Sequence, residues 1–357
     1  MKTDICIVGG GIIGLFSAYE LSARGLKVCL IDRGDFGAQC TAAAGGILSP
    51  LLPWDYSQDV NDLCHQAKPL YEKLDQRLVT ETGINIEYQN SGLLVLNDEH
   101  IDTHSTWCND HHIICQPAAY SNPNIASGLY ENALLLPEVS QLNPTRVVEG
   151  LCQLLLETGV KLYQQTEVEK LLQQQGQITG LRCSHGDINA EAVLWTTGAW
   201  MPELALLTSQ ALAPAVRPVR GQAIAFDATD LNLEHIIIHQ GHYLIPRQDG
   251  TILAGSTLEE VGYNNNITQT AKNNLLQRSI AILPELKNRK ILRQWSGLRP
   301  ASASGQPLIG AVAELPGLFV NAGHHRYGVT MAGSSSVRVA DQIQYFLSST
   351  DSTAKIA

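Results

Sequence analysis

The sequence predicts an α/β fold of two domains whose segments interleave along the chain. Three observations carry this. A length of 357 residues exceeds one small core and fits two domains of roughly 100–200 residues each. With 44% hydrophobic and 16% charged residues, the composition excludes disorder and a highly charged coiled coil. The first part of the chain alternates strand, glycine turn, helix and strand, whereas residues 216–256 carry strand pattern with helical segments on both sides.

Asp4 to Val8 is a short apolar run suited to a buried parallel strand. Gly9-Gly10-Gly11-Ile12-Ile13-Gly14 follows as a turn, Leu15 to Ala23 reads as a helix closed by Gly25, and Leu26 to Ile31 is a second apolar strand ending at Asp32. The run from Ile5 to Ala18 mimics a signal segment. It carries four glycines, has no cleavage site, and falls short of the roughly 18–20 residues of a membrane span. Val60 to Thr82 has helical spacing with Leu63, Ala67, Leu70 and Leu74 on one face, and residues 84–96 read as strands broken at Asn90-Ser91-Gly92. Residues 98–135 are polar and without clear period. Asn143-Pro144 caps a helix reaching Thr158, and short strands lead to the apolar strand Ala192–Thr197. Strands with turns at Gly241 and Asp249-Gly250 fill 216–256, and Thr268 to Leu283 is helical. A strand begins at Arg293–Trp295, Gly317–Val320 is a last buried strand, Val329–Leu347 is a closing helix, and the tail from Ser348 is expected to fray.

Charge and cysteines narrow the function. Twenty-four basic against 34 acidic residues leave a net charge of −10, which disfavours nucleic acid as a partner. Eight cysteines at 6, 29, 40, 64, 108, 115, 152 and 183 show no CxxC and no zinc spacing, which reads as reduced cytosolic thiols. The pairs His111-His112 and His324-His325 have no carboxylate or cysteine at ligand spacing, and neighbours on an extended chain point opposite ways, so no metal is expected.

The glycine unit carries the chemistry. Gly9 permits a tight turn, Gly11 lets the backbone approach a pyrophosphate, and Gly14 lets helix and strand pack closely. The helix N-terminus offers N–H groups to the anion, and Asp32 can accept from both hydroxyls of a ribose. This is a Rossmann-type dinucleotide site. NAD and FAD both satisfy it. The small-residue stretch Gly37 to Ile47 suits close passage beside a long flat cofactor, or equally a tight helix contact. There is no second GxGxxG for a nicotinamide domain and no CxxxxC redox pair, so a flavin here would draw electrons directly from substrate.

Seven motifs, in order and beginning with the glycine turn, make the chain resemble the D-amino-acid oxidase family of FAD-dependent oxidoreductases, in its glycine-oxidising bacterial branch. They are GGGIIG at 9–14, AAAGGILSPLLPW at 42–54, TGAW at 197–200, RPVRGQ at 217–222, YLIPRQDGTILAGSTLE at 243–259, WSGLRPASASGQPLIG at 295–310 and AGHHRYG at 322–328. The resemblance implies a glutathione-reductase-like FAD domain from residues 1–83, 144–215 and 296–357. An α+β substrate domain on a large mixed or antiparallel sheet would come from 84–143 and 216–295. It implies non-covalent FAD, since no cysteine follows Cys183.

By position it places Gly9, Gly11, Ile12, Ile13 and Gly14 at the pyrophosphate turn and Asp32 and Arg33 at the adenosine end. Cys40, Thr41, Gly45, Gly46 and Ile47 would run along the cofactor, with Val168 by the adenine and Gly198 beside the cofactor as well. His324, His325, Arg326, Tyr327, Gly328, Val329 and Thr330 would form the loop and helix start under the flavin. On the substrate side it places Arg299 against the carboxylate, Tyr243 as its hydroxyl partner, and Arg326 as a second pocket arginine. Asp32 stands where the family usually has glutamate, and His325 and Tyr327 replace the usual Phe or Tyr and Asn.

The implied reaction is oxidative deamination of glycine, sarcosine, D-alanine or D-proline by hydride transfer to flavin N5, with oxygen as acceptor and no protein base. Its products are a 2-oxo acid, ammonia or an amine, and hydrogen peroxide. A role in thiamine biosynthesis, a cytoplasmic location, no membrane span and a homotetramer are implied as well. Two other readings stand beside it: a D-amino-acid dehydrogenase passing electrons to a quinone, and a non-catalytic FAD-fold binding protein. From the residues alone, Arg299 also reads as a structural ion-pair partner and Tyr243 as a packed strand aromatic.

Overall fold

The computed structural model describes residues 2–118, 122–207 and 216–354. Its first sheet has eight strands. Lys2–Val8 lies between Gly186–Trp195 and Val28–Ile31, parallel to both, and Lys161–Tyr163 follows on the far side of Val28–Ile31. Leu318–Ala322 also runs parallel to Gly186–Trp195. Antiparallel strands Leu308–Ala311, Gln177–Cys183 and Val168–Gln174 complete the sheet. A strand flanked by parallel partners is covered on both faces, which is why Ile5, Cys6 and Ile7 are fully buried without polar alternation.

Helix Ile12–Ala23 covers this sheet and packs on the closing helix Gly328–Ala354, with the buried hydroxyls of Ser17 and Ser336 3.0 Å apart. The first helix begins three residues earlier than the pattern suggests, because Gly11 serves as its N-cap and Gly14 lies within its first turn. The closing helix continues past Ser348 to Ala354, where the Ser348 and Ser349 hydroxyls bond back to the carbonyls of Tyr345 and Phe346; the last three residues of the expected tail lie outside the described residues. Helix Gln58–Thr82 ends on Gly83 at φ +71, and helix Pro144–Glu157 is capped by the Asn143 side chain, which accepts from the Thr145 N–H.

The second sheet also has eight strands, in the order Ile291–Ser302, Val216–Asp227, Thr251–Gly255, His242–Pro246, Ile236–His239, Leu93–Val95, Leu134–Leu136 and Gln116–Pro117. Every neighbour is antiparallel except Ile236–His239 with Leu93–Val95, so the sheet is mixed. Strand Ile291–Ser302 pairs with Val216–Asp227 along its length. The expected division at 295/296 therefore falls inside one strand, and residues 296–302 belong to the second sheet. The other division, at 215/216, adjoins residues outside those described. A small third sheet joins Ile47–Leu48 to Ser140–Gln141 and Gln89–Asn90, tying the two parts together.

Residues 98–118 hold helix Ile101–Asp110, capped at its end by His111, whose ring stacks on Trp107. All eight cysteines are free thiols. No helix among the described residues is long and apolar enough to cross a membrane.

The turn after the first strand is held by contact. A Cβ on Gly14 would lie 1.9 Å from the Gly9 carbonyl oxygen and 2.8 Å from Thr196 Oγ1, both fixed by neighbouring backbone. A Cβ on Gly11 would meet only Thr41 Oγ1, at 3.5 Å. Gly14→Ala should accordingly lower stability by about 2 kcal/mol or more, the upper part of the overpacking range. Gly11→Ala should cost less than about 1 kcal/mol. Urea unfolding of the two variants measures the difference, and equal midpoints would contradict the packing argument.

Candidate active site

The carboxyl ends of the parallel strands and one face of the second sheet enclose a cavity of about 520 Å³. Val8, Ile31 and Trp195 line it from the first sheet, and Gly221, Tyr243, Ser256, Gly297 and Arg299 from the second. Open α/β sheets bind ligands at this end of their strands.

At one end is the glycine turn. Gly9 sits at φ +108, and the Thr196 hydroxyl bonds to the carbonyls of Val8 and Gly9. Asp32 is held from both sides: the Gly10 N–H donates to Oδ2 at 2.7 Å and the Gly34 N–H to Oδ1 at 2.8 Å. Helix Ile12–Ala23 points its N-terminus here with no side-chain cap, and the Ile12 N–H donates to Thr41 Oγ1. Arg33 lines the rim, paired with Glu203 at 3.0 Å and lying over Trp200. Val168 and Gly198 line the same end.

Cys40, Thr41, Gly45, Gly46 and Ile47 run along the wall. Gly46 lies at φ +73, where a Cβ would stand 2.1 Å from the Leu142 carbonyl. His324, His325, Arg326, Tyr327, Gly328 and Val329 line the cavity where the closing helix begins. Two residues expected at the cofactor, Gly14 at the turn and Thr330 at the helix start, do not line the cavity. Gly14 is packed behind the turn, and Thr330 instead donates from Oγ1 to the Ile47 carbonyl, fastening the helix start to the small-residue run.

At the other end the guanidinium of Arg299 donates from Nη2 to Ser256 Oγ at 2.7 Å and from Nη1 to the Thr257 carbonyl at 3.1 Å. Among the described residues no carboxylate pairs with it, so it is not a structural ion-pair partner. A Cβ on Gly221 would lie 2.2 Å from Nη2, and a Cβ on Gly255 would lie 2.5 Å from the Tyr243 hydroxyl. Glycines clear the floor for both side chains. Burial holds Arg299 below the usual arginine range; Arg326 pushes the same way and Tyr243 opposes. Burial likewise lowers His324 to about 3. Burial lowers His325 to about 4, helped by Arg299, Arg326 and Arg217. Neither histidine pair lies on an extended chain, since His112 and His325 have φ +56 and +49. No cluster of metal-ligating side chains occurs among the described residues.

The FAD dependent oxidoreductase family, also called DAO, matches residues 4–342. This chain belongs to that family. A glycine oxidase of Pseudomonas aeruginosa is 35% identical over 96% of this chain and 94% of its own. The structure of glycine oxidase from Geobacillus kaustophilus superposes with a TM-score of 0.89 at 27% identity, covering 96% and 95% of the two chains. The bifunctional protein ThiO/ThiG of Trichormus variabilis is 31% identical over 96% of this chain and 53% of its own.

As a family member the protein depends on FAD, and the cavity fits it. The Gly11 position leaves room for a ligand against the backbone, the N-cap residue contributes no side chain to the helix N-terminus, and the chamber continues from the turn to Arg299. Ser256, Thr257, Gly221 and Thr196 were not singled out from sequence. The first three lie in quoted motifs, yet their roles arise from pairing between strands distant in the chain.

The histidines make a pH prediction. A histidine charged near pH 6.5 when unfolded but kept neutral when folded stabilises the fold above that pH, and the stabilisation is lost as pH falls toward the folded value. Stability should decline below about pH 6.5, by up to about 1.4 kcal/mol per unit for buried His324 and by less for half-exposed His325. Urea unfolding at pH 7, 6 and 5 should show a shallower decline in His325→Phe; identical slopes would mean that His325 charges freely in the folded protein.

Proposed function

We propose that this protein oxidatively deaminates glycine and small related amines to a 2-oxo acid, ammonia or an amine, and hydrogen peroxide, using non-covalent FAD and oxygen. The observation that carries it is a guanidinium with no carboxylate of its own, Arg299, in the same cavity as a nucleotide-binding turn. The relatives named glycine oxidase support the amino-acid class. Gly9, Gly11, Ile12, Ile13, Asp32 and Arg33 would hold the nucleotide half, with Val168 and Gly198 beside it. Cys40, Thr41, Gly45–Ile47 and His324–Val329 would hold the flavin half. When bound, FAD accepts a hydride from the carbon bearing the amine.

The chain's own contribution is placement. Arg299 presents a planar fork that matches a carboxylate, and its tie to Ser256 and Thr257 fixes the fork in one orientation. The Tyr243 hydroxyl supplies a second donor on the same anion, and Arg326 adds a positive charge to the pocket. Among the described residues no side chain at this end is suited to act as a base. His324 and His325 are neutral but very weakly basic, and burial pushes the Cys40 thiol up. The carboxylates of the wall, Asp32, Asp35, Glu167 and Glu203, belong to the nucleotide end. The amine must therefore lose its proton to water before it docks. A carboxylate clamp has no use in a non-catalytic scaffold, which sets that reading aside. The fused relative ThiO/ThiG supports a place for the reaction in thiamine biosynthesis.

Arg299→Ala should weaken amino-acid binding by about 2–5 kcal/mol while FAD content stays as in wild type. Gly221→Ala should act in the same direction by displacing the guanidinium. Steady-state kinetics on flavin-loaded protein measure both, and wild-type kinetics in Arg299→Ala would remove this residue from the site.

Peroxide release with glycine, sarcosine, D-alanine and D-proline tests the reaction, run beside dye reduction under nitrogen. Peroxide with at least one of the four is expected, and overlapping activities are expected, since a methylene of fit is worth only about 1–3 kcal/mol. Rapid dye reduction without peroxide would instead identify the quinone-linked dehydrogenase, and inertness toward all four would overturn the substrate class.

A further inference from the structure

We propose that Arg247 is a positioning residue that fastens the Gly45–Gly46 wall of the cofactor cavity to the strand carrying Tyr243. Arg247 follows directly on strand His242–Pro246 and is half-buried. Its Nη1 donates to Gln141 Oε1 and to the Leu142 carbonyl, both at 2.9 Å, and its Nη2 donates to the Gly45 carbonyl. Three segments far apart in sequence meet on one side chain. Each acceptor is neutral. Glu87 and Asp249 favour the charge from a distance, but among the described residues neither pairs with it. Burying a cation against neutral acceptors costs free energy, so stability alone does not account for an arginine here.

The geometry around Gly45 supplies the reason. Successive side chains of a strand alternate between faces, so Tyr243, Ile245 and Arg247 share one side. All three address the same glycine: a Cβ on Gly45 would lie 2.8 Å from Ile245 Cδ1 and 3.7 Å from the Tyr243 hydroxyl, and its carbonyl takes the Arg247 bond. The next carbonyl, of Gly46, accepts from the Leu142 N–H at 3.0 Å. The Gly45 carbonyl is thus turned onto Arg247, and the Gly46 carbonyl onto Leu142, whose own carbonyl Arg247 also holds. In a trans peptide the N–H points opposite to the C=O. Drawing the Gly45 carbonyl to Arg247 therefore directs the Gly46 N–H away from it, as a donor for the cofactor wall that both glycines form. Because Tyr243 stands on the same strand, one anchor sets the cofactor wall and the substrate hydroxyl at a fixed spacing.

This inference rests on the FAD-dependent reading, which flavin in the purified wild type tests separately. The experiment compares holoenzymes of wild type, Arg247→Lys and Gln141→Leu, reading FAD dissociation constant, visible absorption of the bound flavin and unfolding midpoint. Arg247→Lys keeps the charge and loses the fork. It should weaken FAD binding tenfold or more and shift the flavin spectrum. Gln141→Leu deletes one acceptor and leaves the cation in place; it should weaken FAD binding about threefold, a loss of roughly 0.6 kcal/mol. Lowered midpoints with wild-type FAD affinity and spectrum would make Arg247 merely structural and overturn the proposal. Should Arg247→Lys fail to fold, unchanged FAD affinity and spectrum in Gln141→Leu overturn it equally.

Discussion

The contact between the Gly9 carbonyl and the backbone of Gly14 sets the geometry on which the site depends. No side chain fits between them, so strand Lys2–Val8 and helix Ile12–Ala23 meet at backbone distance. That approach brings the helix N-terminus to the carboxyl end of the sheet, where its partial positive charge faces the cavity. Thr196 completes the arrangement by bonding the carbonyls of Val8 and Gly9 from the adjacent strand. The closing helix then packs on the first one and delivers His324–Val329 to the far wall. Local sterics thereby place parts of the chain more than three hundred residues apart.

The second sheet solves a different problem, that of holding a cation in the wall of a largely enclosed chamber. Arg299 would be too costly to bury with no partner at all, and a carboxylate partner would occupy the fork that the proposed substrate would need. Ser256 and Thr257 satisfy part of its donor set without neutralising it. Glycines at 221 and 255 give the guanidinium and the Tyr243 hydroxyl the space that side chains would take. The net charge of −10 is a property of the whole chain, while this end of the cavity gathers Arg299 and Arg326. Overall charge is silent on a pocket for a small anion, which a few residues build locally.

What could be read from sequence follows from the range of the interactions involved. The turn at 9–14 and Asp32 was legible because strand, turn, helix and acid are contiguous, and each residue type has a local physical reason. Arg299, Tyr243 and Arg326 were legible only through the family motifs, and the structure brings all three to one cavity. Helix Ile101–Asp110 escaped because its single fully buried side chain, Cys108, makes no period. The expected division at 295/296 falls within residues 291–302, one strand whose middle carries no turn signal. Ser256 and Gly221 could not be assigned at all, since their importance comes from lying against Arg299 across strands. Thr330, two residues beyond the motif at 322–328, was expected at the helix start under the flavin, and its hydroxyl is turned to the Ile47 carbonyl.

The unusual chemistry of the substrate end is what it lacks among the described residues, a group able to take a proton near neutral pH. His324 and His325 are held far below neutrality, by burial and, for His325, by the same guanidiniums that would attract a carboxylate. The two features are linked. A field positive enough to capture an anion also disfavours protonating any imidazole inside it, so the pocket cannot recruit histidine as a base without weakening its clamp. A reaction that removes hydrogen as hydride escapes this conflict, because no proton has to be accepted by the protein as the C–H bond breaks. The clamp and the mode of bond cleavage therefore call for each other. A carboxylate anchored by Arg299, as proposed, with the nucleotide turn at the opposite end of the same chamber, would leave the protein to supply orientation and electrostatics while the cofactor supplies reactivity.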